Sequence, residues 1–543
     1  HSVAIVKEAA TQTAISAGAE SKISVPREEV PPRCLLSLTQ HQLNTVSKIK
    51  IPEGVVVITD NGGKYAEALQ AKIQELGGRA VIARLAAATY QLSENDFAVN
   101  LTDPAAVAVF IEQLRVFHKS IGGVVHLLPL REVPFSELSN TAIWQRYFAE
   151  EVKSFFYLLR AAAVDLKKGQ AKWVIGCTKL GGECSDKNYP TPIHPWRGGV
   201  IGIVMTVMQE WTEALCKSID TDEGISPQEL VSQLLSEVRA EDGQSEVYYR
   251  NGQRWLSKAL QTPLQSTNGG RIKISQDDVI LVTGGARGIT ALVARELARR
   301  YQPTIILAGR SAWPREESPT TAAITSLEEL KKALIDQMSQ GGKKPTPREV
   351  ELAYDRIIAD REMRATKCFL EEFGSKVFYH KTDVRDDNAF IDLINTIYKT
   401  HGRLDGVING AGVIEDKLLE DKTPESFDRV FDTKVRSALI LSAYLKPESL
   451  KFLVFFSSIA GSFGNRGQSD YSAANEVLNR LAMYLDARWP GRVVAINWGP
   501  WEKVGMANPA LQRQFIERGI IPINPATGSK ALIDELFYGE PGQ

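Results

Sequence analysis

The sequence predicts an α/β protein of two doubly wound parallel sheets, the first truncated and degenerate, the second complete. Three observations carry this. Apolar runs alternate with amphipathic helical stretches twice along the 543 residues, the pattern of successive β-α-β units. The two halves repeat one another in register. The composition, 43% hydrophobic, 24% charged and 8% aromatic, is that of an ordinary globular protein.

Residues 1–50 are rich in Ala, Ser, Thr and Glu, with Pro26, Pro31 and Pro32, and read as a linker or loosely packed arm. From Val55 the run VVVITD, the helical stretch YAEALQAKIQELGG and the run AVIARL form β-α-β. Strand candidates GVVHLLPL (123–130) and KWVIGCT (172–178) follow, so 51–266 reads as the first unit. The polar connector QTPLQSTNGG ends it. The second unit, 267–543, has strands at VILVTGG, TIILAGR, KVFYHKTD, DGVINGAG, KFLVFFSS and RVVAINWGP. Between Arg310 and Phe378 the chain is far longer than an ordinary crossover, and about 313–350 reads as an insertion.

Charge and cysteine usage exclude several classes. Sixty-four Lys+Arg against 65 Asp+Glu leave −1, so no global field draws the protein to nucleic acid or to an acidic membrane. Cys34, Cys177, Cys184, Cys216 and Cys368 form no CxxC, and the seven histidines form no HExxH. We therefore expect neither a metal site nor a disulfide framework, and a reducing, cytoplasmic location. The longest apolar stretch, around Val200 to Met208, is far short of the ~18 residues that span a bilayer. The chain begins His1-Ser2 without a basic-then-apolar leader and reads as a piece of a longer protein.

The internal repeat is specific. RYFAEEVKSFFYLL (146–159) aligns with RVFDTKVRSALILS (429–442), placing Glu151 opposite Lys434. Thr178 falls opposite Ser458, and Ile193 and Arg197 opposite Tyr471 and Asn475. The first half thus lacks the reactive groups of the second.

Those groups begin with the turn Thr283-Gly284-Gly285-Ala286-Arg287-Gly288-Ile289-Thr290, between a strand and a helix. Glycines there let backbone turn sharply and approach a pyrophosphate, whose charge faces the free N–H groups of the helix start. A structural tight turn is the alternative, and Thr290 stands where a third glycine is often found. The next strand ends Gly309-Arg310-Ser311. A base at that place suits a ribose 2′-phosphate, so Arg310 and Ser311, helped by Arg287, favour NADPH over NADH. Two further loops, Asp383-Val384 and Asn409-Gly410-Ala411-Gly412, fall at strand C-termini, where open α/β sheets bind ligands. Each alone is equally an ordinary turn.

Ser458 ends another strand, Tyr471 follows thirteen residues later, and Asn475 lies four beyond it on the same helical face. A phenol is a poor acid–base group near neutral pH until a cation stabilises its ionised form. Lys434 is the candidate cation.

TGGARGI, LAGRS, DV, NGAG, Ser458, Tyr471, Asn475 and WGPW (498–501) together resemble the short-chain dehydrogenase/reductase superfamily. Asn475 stands where most of that superfamily has its lysine, and the lysine appears earlier, in DTKV. That exchange is similar to the ketoreductase domains of modular polyketide and related fatty-acid megasynthases, as is a degenerate Rossmann-like half before an intact one. The long insertion is more similar to iterative synthases, such as those making polyunsaturated fatty acids.

The resemblance implies NADPH-dependent reduction of a β-ketoacyl thioester carried by acyl carrier protein, with neighbouring synthase domains as further partners. Tyr471 would donate the proton, Ser458 hydrogen-bond the carbonyl oxygen, Lys434 lower the tyrosine pKa and contact the nicotinamide ribose, and Asn475 take part in a proton relay. Ile414-Glu415-Asp416 keeps only the last acid of the Leu-Asp-Asp of one stereochemical class, and Phe463 replaces the tryptophan of the other. The expected product is the D (R) alcohol, with Asp416 and Phe463 in stereocontrol. Trp501 and Met506 lie where the family has a lid. Rival readings are a stand-alone dehydrogenase, which predicts no inactive half and Lys at 475, and a non-catalytic nucleotide-binding scaffold, which predicts loss of Tyr471 or Ser458.

Overall fold

A computed structural model describes residues 3–5, 31–43, 47–60, 62, 64–134, 140–169, 171–180, 194–265, 272–339, 344–502, 504 and 520–540. In the second unit six parallel strands lie side by side in the order Val377–Lys381, Thr304–Gly309, Val279–Thr283, Gly406–Asn409, Phe452–Ser458 and Arg492–Trp498. Numbered along the chain this is 3-2-1-4-5-6, the dinucleotide-binding order, with its crevice where the order reverses, between Val279–Thr283 and Gly406–Asn409.

The first unit repeats that order with Asp96–Val99, Arg79–Leu85, Val55–Asp60, Ile121–His126, Trp173–Thr178 and Leu215–Asp220. Its truncation lies in one crossover. The short strand Tyr90–Ser93 folds back antiparallel on Asp96–Val99, where the second unit has the helices Pro319–Ala322, Leu327–Ser339 and Pro347–Glu372. The longest of these packs on the helix Gly288–Tyr301, with Arg295 donating to Thr366 Oγ1 at 2.9 Å. The segment read as an insertion therefore continues into the crossover helix itself.

Within 1–50, composition hides a strand. Arg33–Gln40 pairs with Gln253–Gln261 on one side and with Val3–Ile5 on the other, and Val3–Ile5 pairs with Arg492–Trp498. These strands join the two units into one seventeen-stranded sheet. An unpaired edge leaves a row of backbone donors and acceptors unsatisfied, and the arm supplies their partners. Arg33 is fixed by the buried carboxylate of Glu535, 2.5 Å away. The boundary expected at 266/267 lies outside the described residues.

The units also share a core. Phe156 stacks on Phe427 with ring centres 4.4 Å apart, and both belong to an apolar cluster that includes Trp144, Val477 and Leu481. The helix Gly198–Glu210 lies directly against Ser469–Asp486, the helix of Tyr471 and Asn475. A Cβ on Gly202 would stand 2.5 Å from the carbonyl of Ser472, so only glycine permits that approach.

Candidate active site

The glycine turn closes the first strand of the second unit. Gly284, at φ +70°, donates to Ala308 O, and a Cβ on it would lie 3.2 Å from the backbone of Ala411 and Gly410. Thr283 Oγ1 accepts from Ala411 N and donates to Asn409 Oδ1 at 2.7 Å, tying the two strand ends at the crevice together. Thr290, in the third-glycine place, fills the space that a Cβ on Gly410 would take, 2.3 Å from its Oγ1. The departure from a three-glycine pattern is thus compensated across the crevice.

A cleft of about 940 Å³ opens above these ends. Gly284, Arg287, Gly288, Ile289, Arg310, Ser311, Asp383, Val384, Gly410, Ala411 and Gly412 line it, while Thr283, Gly285 and Asn409 stand behind its wall. Asp383 is held below the usual carboxylate range by its ion pair with Arg385, 2.7 Å away. The lining fits a dinucleotide: a left-handed glycine that leaves backbone bare, a helix N-terminus, and Arg287 and Arg310 on the wall. One neighbour was not legible in the sequence. Gly288 N donates to Glu362 Oε1 at 2.7 Å, a carboxylate from the long crossover helix that also lines the cleft.

Further along the same cleft lie Lys434, Ser458 and Tyr471. The Lys434 ammonium is 5.2 Å from the centre of the Tyr471 ring and donates to Phe456 O at 2.7 Å. Burial pushes it down to about 7, and pushes the Tyr471 hydroxyl up to about 12. Desolvation is the largest influence on both groups and favours the neutral form of each. Ser458 caps the short helix Ile459–Phe463, its Oγ accepting from Ala460 N at 3.2 Å. Asn475 does not line the cleft. It is fully buried, its amide donates to Tyr471 O at 2.8 Å, and its Oδ1 has no hydrogen-bond partner among the described residues.

Of the residues expected in stereocontrol, Asp416 lines the cleft, accepts from Gln468 at 3.0 Å and is raised by burial. Glu415 is turned away into a two-pronged pair with Arg429, which holds it down to about 2. Phe463 is half-exposed and not on the cleft wall. Trp501 is buried on the wall, edge-on to Trp498. Met506 lies outside the described residues.

The first unit holds different groups at the matching places. Thr59 and His126 occupy the places of Thr283 and Asn409, with Leu127 N donating to Thr59 Oγ1 at 2.8 Å. Where a cleft would open, Glu151 is fully buried among Trp196, Arg197 and Arg131, at 2.7, 3.3 and 2.6 Å. Thr178 is tied to Asp220 at 2.6 Å. Ile193 lies outside the described residues. What the repeat did not reveal is that the first unit reaches into the second site: Gln209 lines the cleft, and Glu210 holds two of its loops.

Strand order and glycine turn define a Rossmann-type dinucleotide-binding fold, with Lys434, Ser458 and Tyr471 gathered on the wall of its cleft. Residues 279–503 match the family model of the KR domain. It is 32% identical over 357 residues to a polyunsaturated fatty acid synthase polypeptide of Thraustochytrium sp., covering 63% of this chain and 12% of the relative. It is 28% identical over 346 residues to polyketide synthase PksN of Bacillus subtilis, covering 62% and 5%. The chain thus spans a small part of these relatives' own length. Among solved structures, an N-terminal ketoreductase from the macrolactin assembly line covers 93% of this chain, and 89% of that structure is covered in turn, at TM-score 0.69 and 18% identity. An A-type ketoreductase of a modular polyketide synthase does so at 0.66 and 20%, covering 93% and 90%. These establish the shared fold.

Proposed function

We propose that this chain is an NADPH-dependent reductase of β-ketoacyl thioesters carried on acyl carrier protein, working within a polyketide or polyunsaturated-fatty-acid type synthase. In this reading 51–266 is a structural unit, 267–543 the catalytic one, and 1–50 an arm. The observation that carries the reading is that Lys434 and Tyr471 share one cleft with the glycine turn.

Bound along that cleft, a reduced nicotinamide supplies the hydride that the carbonyl carbon accepts. The chain's residues do the rest. Arg310, Ser311 and Arg287 take the 2′-phosphate, and the amides of the glycine turn take the pyrophosphate. Ser458 donates a hydrogen bond to the carbonyl oxygen as it becomes negative. Tyr471 gives that oxygen a proton. Reduction needs the phenol protonated at the outset, and burial, by raising it to about 12, ensures that state. Transfer is still downhill to an alkoxide, which is a stronger base than the phenolate left behind. The residual phenolate is stabilised by Lys434 in its charged form, beside the ring. Asn475, fixed to Tyr471 O and keeping a spare acceptor, anchors the relay that returns the proton.

Asp416 on the wall, with Phe463 off it, supports the D (R) alcohol. The test is reduction of a short β-ketoacyl thioester with NADPH, the product resolved on a chiral column. NADPH consumption and a mainly D alcohol are expected. No consumption rejects the activity, and a mainly L alcohol rejects the stereochemistry.

A further inference from the structure

Glu210 is the last residue of the helix Gly198–Glu210, which belongs to the first unit. Its two carboxylate oxygens accept from Leu419 N at 2.8 Å and Gly467 N at 2.9 Å. These amides belong to two separate loops of the second unit. Lys417 N bonds Gly467 O at 3.0 Å and Gln468 reaches Asp416 at 3.0 Å, so the carboxylate sits where the two loops meet. Both loops form cleft wall, through Ile414 and Asp416 on one and Gly464, Asn465 and Gln468 on the other. The preceding residue, Gln209, lines the cleft itself and donates to Phe463 O at 2.7 Å.

Glu210's own helix does not account for this placement. A carboxylate at a helix C-terminus opposes the helix dipole, and here burial raises the group further. What compensates is the pair of N–H donors. Neither loop is part of a strand, so their spacing is set by a few bonds: Lys417 N to Gly467 O, Gln468 to Asp416, and this shared acceptor. Among the described residues its hydrogen bonds run to these two loops and not to the glycine turn, Arg310 or Lys434.

We propose that Glu210 is a positioning residue, lent by the first unit, that sets the separation of the 413–419 and 464–468 loops. It thereby governs how tightly the ketoacyl chain binds and which carbonyl face is presented, without acting on the cofactor. The proposal rests on the ketoreductase reading and deepens it: the first unit builds part of the substrate wall as well as buttressing the fold.

The test uses the full chain as wild type, Glu210→Ala and Glu210→Gln. Five quantities are measured: NADPH affinity by fluorescence titration, KM and kcat for a short β-ketoacyl thioester, enantiomer ratio of the alcohol, and thermal unfolding. Glu210→Ala is expected to raise KM about tenfold and to erode the enantiomer ratio several-fold, within the roughly hundredfold that a misplacement of about 1 Å can cost. NADPH affinity is expected to stay within about twofold, because the cofactor's phosphate contacts are elsewhere. Glu210→Gln, which keeps one acceptor oxygen and turns an NH2 toward the other amide, is expected to fall between and serves if the alanine variant does not fold. Unchanged KM and enantiomer ratio in a folded variant overturn the proposal. So does loss of NADPH affinity by the same factor as KM, which marks general collapse. Failure of the wild type to reduce the thioester strikes the ketoreductase reading instead, and is seen before any variant is compared.

Discussion

Lys434 and Tyr471 face each other inside one cleft, the ammonium 5.2 Å from the centre of the phenol ring, yet they arrive on different helices, Pro424–Tyr444 and Ser469–Asp486. Burial moves their proton affinities in opposite directions, the lysine down to about 7 and the tyrosine up to about 12. Each is thereby biased toward its neutral form.

That balance predicts a pH limb. Only protonated Lys434 stabilises a phenolate, so kcat/KM, which reports the free enzyme, should fall as pH rises through about 7. Lys434→Arg keeps its charge and should abolish that limb. Stability should move the other way. The unfolded chain binds more protons at this position between about 7 and the ordinary 10.5, so folding stability gains with pH across that window. Lys434→Met should lose this dependence, as followed by thermal unfolding at a series of pH values.

In the proposed function Arg310, on the cleft wall, sets the choice of cofactor. Arg310→Ala should weaken NADPH binding by about ten- to a hundredfold, the worth of a lost charge-assisted hydrogen bond, and leave NADH nearly unchanged. Isothermal titration with both dinucleotides checks this, and equal losses would contradict it.

Glu362 presents an anion to the Gly288 amide, where a pyrophosphate also seeks its donors. The carboxylate must swing aside on binding. Glu362→Ala should therefore tighten dinucleotide binding several-fold, with the gain shrinking as salt screens the repulsion. Titration at low and high ionic strength reads both effects, and weaker binding in the variant would oppose them.

Gly202 lets the first unit's helix touch the backbone of the tyrosine helix. Gly202→Ala places a Cβ 2.5 Å from the Ser472 carbonyl and should cost about 1–3 kcal/mol of stability, the usual penalty of overpacking. A lower unfolding temperature together with a lower kcat is the expected result, since the same shift moves Tyr471.

The sequence made some of this architecture readable and hid the rest for identifiable reasons. Apolar runs alternating with helical stretches marked the strands on either side of the crevice, and the motifs pointed to Lys434, Ser458 and Tyr471, which share one wall. The strand Arg33–Gln40 was concealed because the surrounding Ser, Thr and Pro composition is that of a linker, and its partners, Gln253–Gln261 and Val3–Ile5, lie elsewhere in the chain. Asn475 follows the i,i+4 rule, but its amide turns back to Tyr471 O rather than into the cleft. Glu362 sits in a helix whose charges all resemble solvated ones, and Glu210 in a half with no catalytic group. For both, only the tertiary path of the chain supplies the backbone N–H that gives the carboxylate its role.

The most direct test of the central claim is NADPH oxidation with a short β-ketoacyl thioester by the wild type and by Tyr471→Phe, which removes one hydroxyl and keeps the ring beside Lys434. The account predicts a rate lower by about 10²–10⁴, the usual contribution of a positioned general acid, with NADPH binding unchanged. Equal rates in the two proteins would contradict it.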